Sequence, residues 1–236
     1  MKVVGVISGI VTLHTKEVFA NLHKEIIETG FGKAEVFCSD NLVFIARHGT
    51  DPSFHILPHL INHTANMAAM KRLGATEVIG INSTGTLKRR LEPGTLVVPD
   101  DYIQIGPLAT AVSGKPLHVI PRLDDKIRQK LLAAARDCNL RCVDGGIYWQ
   151  TAGPRLETKA EIAMISQFAD IVGMTMAGEA TVARELDIRY ASLCSVDNFA
   201  HGIIEEDLTM HEIVKHARRN AEAIHRIVTS YVKQTG

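Results

Sequence analysis

The chain opens with Val3-Val4-Gly5-Val6-Ile7-Ser8-Gly9, and this stretch decides the class of fold. A short apolar run rich in β-branched residues, closed by a serine and a glycine, predicts a buried strand that enters a tight turn. Strands that are apolar on both faces are typical of the inside of a parallel sheet. We therefore expect the chain to begin as an inner strand.

Seven further runs of this kind follow, most of them bounded by Gly, Pro, Asp or Asn. They lie at residues 34–37, 42–46, 78–81, 96–98, 147–149, 171–174 and 190–194. Apolar residues with helical spacing lie between and after them, at 61–73, 127–135, 162–165, 180–186 and 213–232. Strands that alternate with helices predict βαβ units, so we expect an α/β fold with a mixed, mostly parallel central sheet flanked by helices.

Length and composition favour one domain. A chain of 236 residues can bury a full core, and single α/β domains reach about 250 residues. No repeat, low-complexity tract or linker divides the sequence, and the stretch 103–123, which lacks a clear period, predicts a surface excursion. We therefore expect residues 1–236 to form a single domain.

The charge balance excludes several classes of partner. The chain has 26 Lys and Arg residues against 26 Asp and Glu residues, so its formal net charge is zero. Nucleic acid and anionic membranes usually require a basic stripe, and no block of like charge here exceeds Lys88-Arg89-Arg90. No apolar run reaches the ~18 residues of a membrane span, and the N-terminus lacks the features of a signal peptide, so we expect a cytoplasmic protein.

Neither a metal nor a dinucleotide cofactor is expected. The four cysteines are scattered along the chain at Cys38, Cys138, Cys142 and Cys194. Because Cys138-x3-Cys142 has no second pair at zinc-site spacing, we expect reduced thiols packed as small apolar residues. Gly5-x3-Gly9 follows the first strand but lacks the G-x-G-x-x-G pattern of dinucleotide sites.

Polar residues follow directly after several predicted strands, where open α/β sheets bind their ligands. Arg47-His48-Gly49 places a guanidinium fork and an imidazole beside a flexible glycine, which suits an oxyanion such as phosphate. The alternative is that Arg47 pairs with a surface carboxylate and His48 caps a strand. Ser83-Thr84-Gly85-Thr86 adds hydroxyls and backbone N–H groups, and Thr175 adds a further hydroxyl, so together these strand ends favour an anion site.

Acidic residues also follow predicted strands. Asp197 comes after an apolar run and is expected to be partly enclosed, so it is either an acid with a raised pKa or a cap of the next element. Glu157 and Glu179 are further candidates. For both, the alternative is a helix N-terminal carboxylate stabilised by the helix dipole.

Ordered segments along nearly the whole chain share their sequence and spacing with a known family. They are Arg47-His48-Gly49, His55-x2-Pro58-x3-Asn62-x3-Asn66, Ile81-Asn82-Ser83-Thr84-Gly85-Thr86-Leu87, Gly153-Pro154-Arg155-Leu156-Glu157-Thr158, Gly173-Met174-Thr175 and Ser195-Val196-Asp197-Asn198. The set resembles the trimeric purine nucleoside phosphorylases, and within them most of all the methylthioadenosine/methylthioinosine phosphorylase branch. The ordered set is far more specific than any single motif.

The resemblance implies a pentosyltransferase of purine salvage. Such an enzyme cleaves the N-glycosidic bond of a purine nucleoside with phosphate and releases free purine and a ribose 1-phosphate that keeps the 5′ substituent. The implied substrates are 5′-methylthioinosine, inosine or guanosine, and 5′-methylthioadenosine. Inorganic phosphate is the co-substrate, no cofactor is implied, and the implied assembly is a homotrimer or a dimer of trimers.

The resemblance also assigns roles to residues. The implied phosphate contacts are Ser8, Arg47, His48, Ser83 and Thr175. Met174 is implied under the ribose, and the implied purine contacts are Leu156, Glu157, Asp197 and Phe199. The implied catalytic residues are His48 and Asp197, and a protonated Asp197 would donate to N7 of the departing purine.

One position departs from the family's first loop, Gly-Gly-Thr-Gly, in which the threonine hydroxyl contacts phosphate. This chain has Ser8-Gly9-Ile10-Val11, and the Ile10 side chain cannot make that bond. Ser8 or Thr12 could take its place. Two alternatives stay open: water replaces phosphate, as in a nucleosidase, or the protein binds nucleosides without turnover.

The residues implied around the base point in two directions. A carboxylate at Glu157 accepts from the N1–H that a 6-oxopurine has and adenine lacks. Asp197 stands where strict 6-oxopurine enzymes have Asn, which favours adenine, whereas Phe199 replaces the second Asp typical of methylthioadenosine phosphorylases. We favour a 6-oxopurine. The 5′ group, methylthio or hydroxyl, stays open because the family builds that wall partly from a neighbouring subunit.

Overall fold

A central mixed sheet organises the protein. Its computed structural model describes residues 2–9, 19, 21–51, 53–205 and 209–235, and the eleven strands within these residues belong to one sheet. In chain order they are β1 Val3–Ser8, β2 His23–Thr29, β3 Gly32–Cys38, β4 Leu42–Ala46, β5 Ala75–Thr86, β6 Leu96–Val98, β7 Asp101–Gln104, β8 Cys142–Asp144, β9 Ile147–Gln150, β10 Ile171–Gly173 and β11 Arg189–Phe199.

The strand order brings four carboxyl ends to one edge of the sheet. Eight strands follow the order β2-β3-β4-β1-β5-β10-β9-β7, and β11 pairs along β5 and continues to β6 and β8. β4, β1, β5 and β11 are parallel neighbours, so their carboxyl ends lie together. Six of the ten strand pairs are parallel and four are antiparallel, which confirms the predicted mixed, mostly parallel sheet.

Helices cover both faces of this sheet. They are α1 His63–Arg72, α2 Asp125–Asp137, α3 Lys159–Ile165, α4 Met176–Glu185 and α5 Met210–Thr235. Buried residues of α1 and α4 pack on one face, and those of α2 and α5 pack on the other. β1 contributes Ile7 to the first layer and Val6 to the second, which explains why its sequence is apolar on both faces. Between them, a Cβ at Gly5 would lie 2.9 Å from Met70 Sδ, so glycine lets α1 pack closely on the strand.

The structure confirms the predicted fold class and adds three strands. All eight predicted strands and all five predicted helices are present. The sequence missed β2, β7 and β8; β2 is mostly exposed and carries the polar sequence HKEIIET, so it lacks the apolar signal of a buried strand. Residues 105–124 contain no helix or strand, as expected for the excursion. None of the helices among the described residues is both long and apolar enough to cross a membrane.

Candidate active site

Arg47, the first residue after β4, is held in the interior of the protein. Only 2% of it is exposed. Its Nε and Nη2 donate to the two carboxylate oxygens of Glu179 at 2.6 and 3.0 Å. Nη1 donates to the carbonyl oxygen of Ile81 at 2.6 Å, and Nη2 also donates to that of Ile7 at 3.2 Å. The carboxylate partner is therefore a buried one and not the surface group considered from the sequence.

Glu179 lies in the first turn of α4, where the helix dipole favours a carboxylate, and it is fully buried. Tyr190 Oη donates to its Oε2 at 2.7 Å. With the two hydrogen bonds from Arg47, this makes three that fix the carboxylate. Burial opposes the charge of Arg47, but the Glu179 carboxylate outweighs burial and the pKa of Arg47 is raised. The Glu179 carboxylate thus favours the charged form of Arg47.

The guanidinium keeps one N–H group for a ligand. Of its five N–H groups, four are used in the hydrogen bonds described above, which leaves the second hydrogen of Nη1 among the described residues. A Cβ built on Gly9 would lie 3.4 Å from Nη1 and 3.5 Å from His48 Nε2. The backbone of Gly9 therefore lies against both side chains, and a side chain there would crowd the space between them.

His48 faces the same space as a neutral ring. Its Nδ1 lies 2.7 Å from the carbonyl oxygen of Ile56, which can only accept, so we assign the proton to Nδ1. Burial lowers the pKa of His48 to about 4, and the charge of Arg47 adds to this effect. The ring also stacks on His55 with a centroid distance of 4.4 Å. At neutral pH its Nε2 is consequently an acceptor, which suits the hydroxyl of a protonated phosphate.

Thr175 completes this region from the start of α4. Its Oγ1 accepts a hydrogen bond from Asn82 Nδ2 at 2.8 Å, so its own proton can be donated to a ligand. The first backbone N–H groups of α4 already have partners in Tyr148 Oη and Gln150 Oε1. The helix start therefore offers an anion the Thr175 hydroxyl and not a ring of open N–H groups. We name Gly9, Arg47, His48 and Thr175 the anion site.

Asp197 lies near the end of β11 and is completely buried. Asn220 Nδ2 donates to its Oδ1 at 2.7 Å and Ser195 Oγ to its Oδ2 at 3.0 Å. Burial raises the pKa of Asp197, although these donors lower it. The raised pKa agrees with the acid considered from the sequence, and the catalytic role of Asp197 stays a prediction.

Three successive residues of β5 connect these groups. The carbonyl of Ile81 accepts from Arg47, Asn82 binds Thr175, and Ser83 pairs in register with Ser195, whose hydroxyl donates to Asp197. The anion site and the enclosed acid are therefore neighbours along one strand end. Ser83, expected at the phosphate, is exposed, and its phosphate role stays a prediction. Ser8 is buried beside them, and its carbonyl accepts from the backbone N–H of Arg47 at 3.0 Å.

The remaining predicted residues follow β9 and β10 or end β11. Glu157 is buried and its Oε1 accepts from Thr151 Oγ1 at 2.6 Å. Phe199 ends β11 half-buried, whereas Leu156 is 42% exposed. Met174 lines a cavity of about 380 Å³. Ile10 and Thr12 lie outside the described residues.

Sequence reasoning missed several residues of the site. Tyr190 and Asn220 hold its carboxylates, yet neither belongs to a motif that indicates this role; Asn82 belongs to a quoted motif, but its bond to Thr175 was not predicted. Asn220 is 23 positions from its partner Asp197, and only the packing of α5 on β11 brings them together. The one available signal was polar residues inside apolar runs, as at Tyr190. None of the four cysteines forms a disulfide with another described residue; Cys38 and Cys194 are buried, and Cys138 and Cys142 are partly buried.

The fold and the site define an α/β protein in which groups that suit a small anion lie next to a buried aspartate, at the carboxyl ends of parallel strands. The chain belongs to the Phosphorylase superfamily, whose family model matches residues 9–233. The family resemblance of the motifs is thereby confirmed.

Individual relatives cover almost the entire chain. A protein of Archaeoglobus fulgidus named "Probable 6-oxopurine nucleoside phosphorylase" is 42% identical over 98% of this chain and 96% of its own length. A protein of Methanocaldococcus jannaschii named "Probable S-methyl-5'-thioinosine phosphorylase" is 35% identical over 97% of this chain and 91% of its own length. Among solved structures, methylthioadenosine phosphorylase from Schistosoma mansoni in complex with adenine superposes with a TM-score of 0.86 at 25% identity, covering 99% of this chain and 92% of that one.

Proposed function

We propose that this protein cleaves the N-glycosidic bond of a purine nucleoside with inorganic phosphate and releases free purine and a ribose 1-phosphate. The observation that carries this proposal is the end of β5, where Ile81 and Asn82 hold Arg47 and Thr175, and where the register partner of Ser83, Ser195, donates to Asp197. A phosphorylase requires both groups next to each other, one for each face of the reacting sugar. The names of the relatives from Archaeoglobus fulgidus and Methanocaldococcus jannaschii support the same reaction.

The anion site acts on the incoming phosphate. As the bond between C1′ and the purine nitrogen lengthens, its electron pair passes to the purine and positive charge develops on the sugar. A phosphate oxygen held by the free Nη1 hydrogen of Arg47 and by the Thr175 hydroxyl then forms the new bond to C1′. His48 Nε2 accepts from a phosphate hydroxyl and orients it. Phosphate is the co-substrate, and these steps use no cofactor.

Asp197 acts on the departing base. Burial favours its neutral form, which has a proton to donate to N7 of the purine as negative charge develops there. General acid assistance of this kind contributes about 10²–10⁴-fold. Asn220 and Ser195 hold the carboxyl group in place for this transfer.

We propose a 6-oxopurine nucleoside as the substrate. Glu157 has one carboxylate oxygen fixed by Thr151 and can accept the N1–H of a 6-oxopurine with the other. Glu157→Gln should therefore lower kcat/KM for inosine and methylthioinosine at least about tenfold and leave methylthioadenosine almost unchanged. An equal loss for all three nucleosides would remove Glu157 from base recognition.

We propose a homotrimer as the assembly, with a dimer of trimers as its larger form. Large apolar side chains next to the cavity at Met174 support self-association: Leu60, Ile105 and Leu108 are 60%, 76% and 56% exposed. Light scattering of the purified protein measures the assembly directly. The cytoplasmic location and the role in purine salvage stay predictions.

Incubation with methylthioinosine, inosine and methylthioadenosine, with and without phosphate, tests the proposed reaction. We expect base release only with phosphate, and its loss in Asp197→Ala. Release without phosphate would indicate a nucleosidase, a second candidate that is supported because four of the five Arg47 N–H groups already have partners among the described residues. Purine binding by calorimetry without any release would indicate a binding protein.

A further inference from the structure

Three metal-ligating side chains converge at the edge of the sheet, far along the strand order from the site described above. His23 and Glu25 lie on β2, and Cys38 lies on β3. One ligand atom from each, the His Nε2, a Glu carboxylate oxygen and the Cys Sγ, lie within 4.8 Å of one another. Spacing along the chain does not reveal this group, because antiparallel pairing of β2 with β3 creates it.

Strand geometry fixes the three side chains on one face. His23 and Cys38 are direct partners in the β2–β3 register, and His23 and Glu25 are two residues apart, so all three point the same way. Cys38 also pairs with Val43 of β4, and its side chain is only 5% exposed, which anchors the thiol in the sheet. The His23 and Glu25 side chains are 62% and 44% exposed, so they are free to adjust.

The distances suit a tetrahedral ion. His23 Nε2 is 2.8 Å from Glu25 Oε1 and 3.4 Å from Cys38 Sγ. Around Zn²⁺, with bonds of about 2.0–2.3 Å, the corresponding tetrahedral edges are about 3.4 Å between N and O and about 3.6 Å between N and S. His23 Nε2 and Glu25 Oε1 must therefore move apart by about 0.6 Å, and the Glu25 oxygen must lie about 3.6 Å from Cys38 Sγ. Rotations of the two exposed side chains can provide this, because all three ligand atoms already lie within 4.8 Å of one another.

We propose that His23, Glu25 and Cys38 form a Zn²⁺ site, with the imidazole nitrogen, a carboxylate oxygen and the thiolate as three ligands and a water molecule as the fourth. The thiolate and imidazole exclude Mg²⁺ and Ca²⁺, which prefer oxygen ligands, and the mixed set is one that zinc accepts. The ion ties the edge strand β2, whose residues are mostly exposed, to β3. It is independent of the proposed phosphorolysis.

Titration of the metal-free full-length chain with Zn²⁺ against a chromogenic chelator tests the site. We expect one Zn²⁺ per chain, and an affinity at least about tenfold lower in His23→Gln and in Glu25→Gln. Both residues are exposed, so these variants fold like the parent. His118→Gln and Cys138→Ser, at residues outside the group, are matched controls and should bind as the parent does.

Cobalt gives a second, spectroscopic readout. Co²⁺ bound at this site should show a thiolate-to-metal charge-transfer band that is lost in Cys38→Ser and kept in Cys138→Ser. The assignment is overturned if no stoichiometric binding occurs, if His23→Gln and Glu25→Gln bind Zn²⁺ as tightly as the parent, or if the band persists in Cys38→Ser.

Discussion

Among the described residues, Glu179 is the only carboxylate that accepts hydrogen bonds from the Arg47 guanidinium. Glu179→Gln therefore tests the electrostatics of the site most directly. The variant keeps the shape of the side chain and removes its charge. In the parent, Arg47 Nε, Arg47 Nη2 and Tyr190 Oη all donate to the Glu179 carboxylate. The amide nitrogen of Gln cannot accept these bonds, and its two hydrogens point at other donors. Arg47 is then left as a cation with 2% exposure and no counter-charge.

The expected cost follows from this burial. Removal of one partner from a buried ion pair typically destabilises a protein by about 3–5 kcal/mol, because the other charge stays desolvated. In a chain of this length 1 kcal/mol lowers Tm by roughly 2–4 °C, so Glu179→Gln should lower Tm by roughly 6–20 °C. Glu28→Gln is the matched control. It makes the same chemical change in a pair with Lys33 whose side chains are 73% and 71% exposed, and exposed pairs contribute little.

Thermal unfolding with and without phosphate measures both the cost and its cause. In Glu179→Gln, bound phosphate becomes the counter-ion of Arg47, so phosphate should raise the Tm of the variant by more degrees than that of the parent. A Tm within 2–3 °C of the parent, or a phosphate effect no larger than in the parent, would refute the view that Glu179 neutralises a buried cation at the anion site.

Three further predictions concern the same region. Gly80→Ala should destabilise the protein by about 1–3 kcal/mol in urea unfolding, because a Cβ there would overlap the Tyr190 hydroxyl; an unchanged midpoint would contradict this packing. The pKa of His48 is about 4 in the folded protein and 6.5 when unperturbed, so the unfolded chain binds its proton first and stability should fall by at most about 3 kcal/mol as the pH drops from 6.5 to 4. Urea unfolding of His48→Gln should show a flatter profile over that range, and an equally steep one would contradict the assignment. The hydrogen bond from Asn220 lowers the pKa of Asp197, so Asn220→Ala should move the alkaline limb of the kcat profile to higher pH, whereas a fixed limb would separate Asn220 from the acid.

The inner strands were predictable from the sequence because buried strands consist mainly of apolar residues. β1 and β4 are continuous apolar runs, and a parallel sheet covered on both faces requires such runs. β2 was not predictable on this ground. It is an exposed edge strand paired with β3 by main-chain hydrogen bonds, and its sequence HKEIIET has neither an apolar run nor an alternation that would indicate burial. Strands are thus visible in sequence to the extent that their side chains are buried.

The sequence indicated where the candidate site lies, but not which hydrogen bonds and ion pairs its side chains form. Arg47, Thr175 and Asp197 stand out because each follows an apolar strand, where an open α/β sheet binds ligands. What each side chain binds depends on contacts between distant segments. Arg47 and Glu179 are 132 residues apart, and no local pattern indicates that they pair.

The ion pair with Glu179 changes how Arg47 can contribute to an anion site. The Glu179 carboxylate cancels the charge of Arg47, so the pair offers little net attraction to a phosphate, and binding depends on one guanidinium N–H, the Thr175 hydroxyl and His48 Nε2. These groups are fixed before the ligand arrives, because Ile81, Asn82 and the Ile56 carbonyl hold them. A preorganised, nearly neutral site stabilises the charge that develops during the reaction with little reorganisation, and this is the condition under which electrostatic catalysis is most effective. Arg47 and Glu179 contribute one charge of each sign to the zero net charge of the chain. The net charge therefore gives no indication of this site.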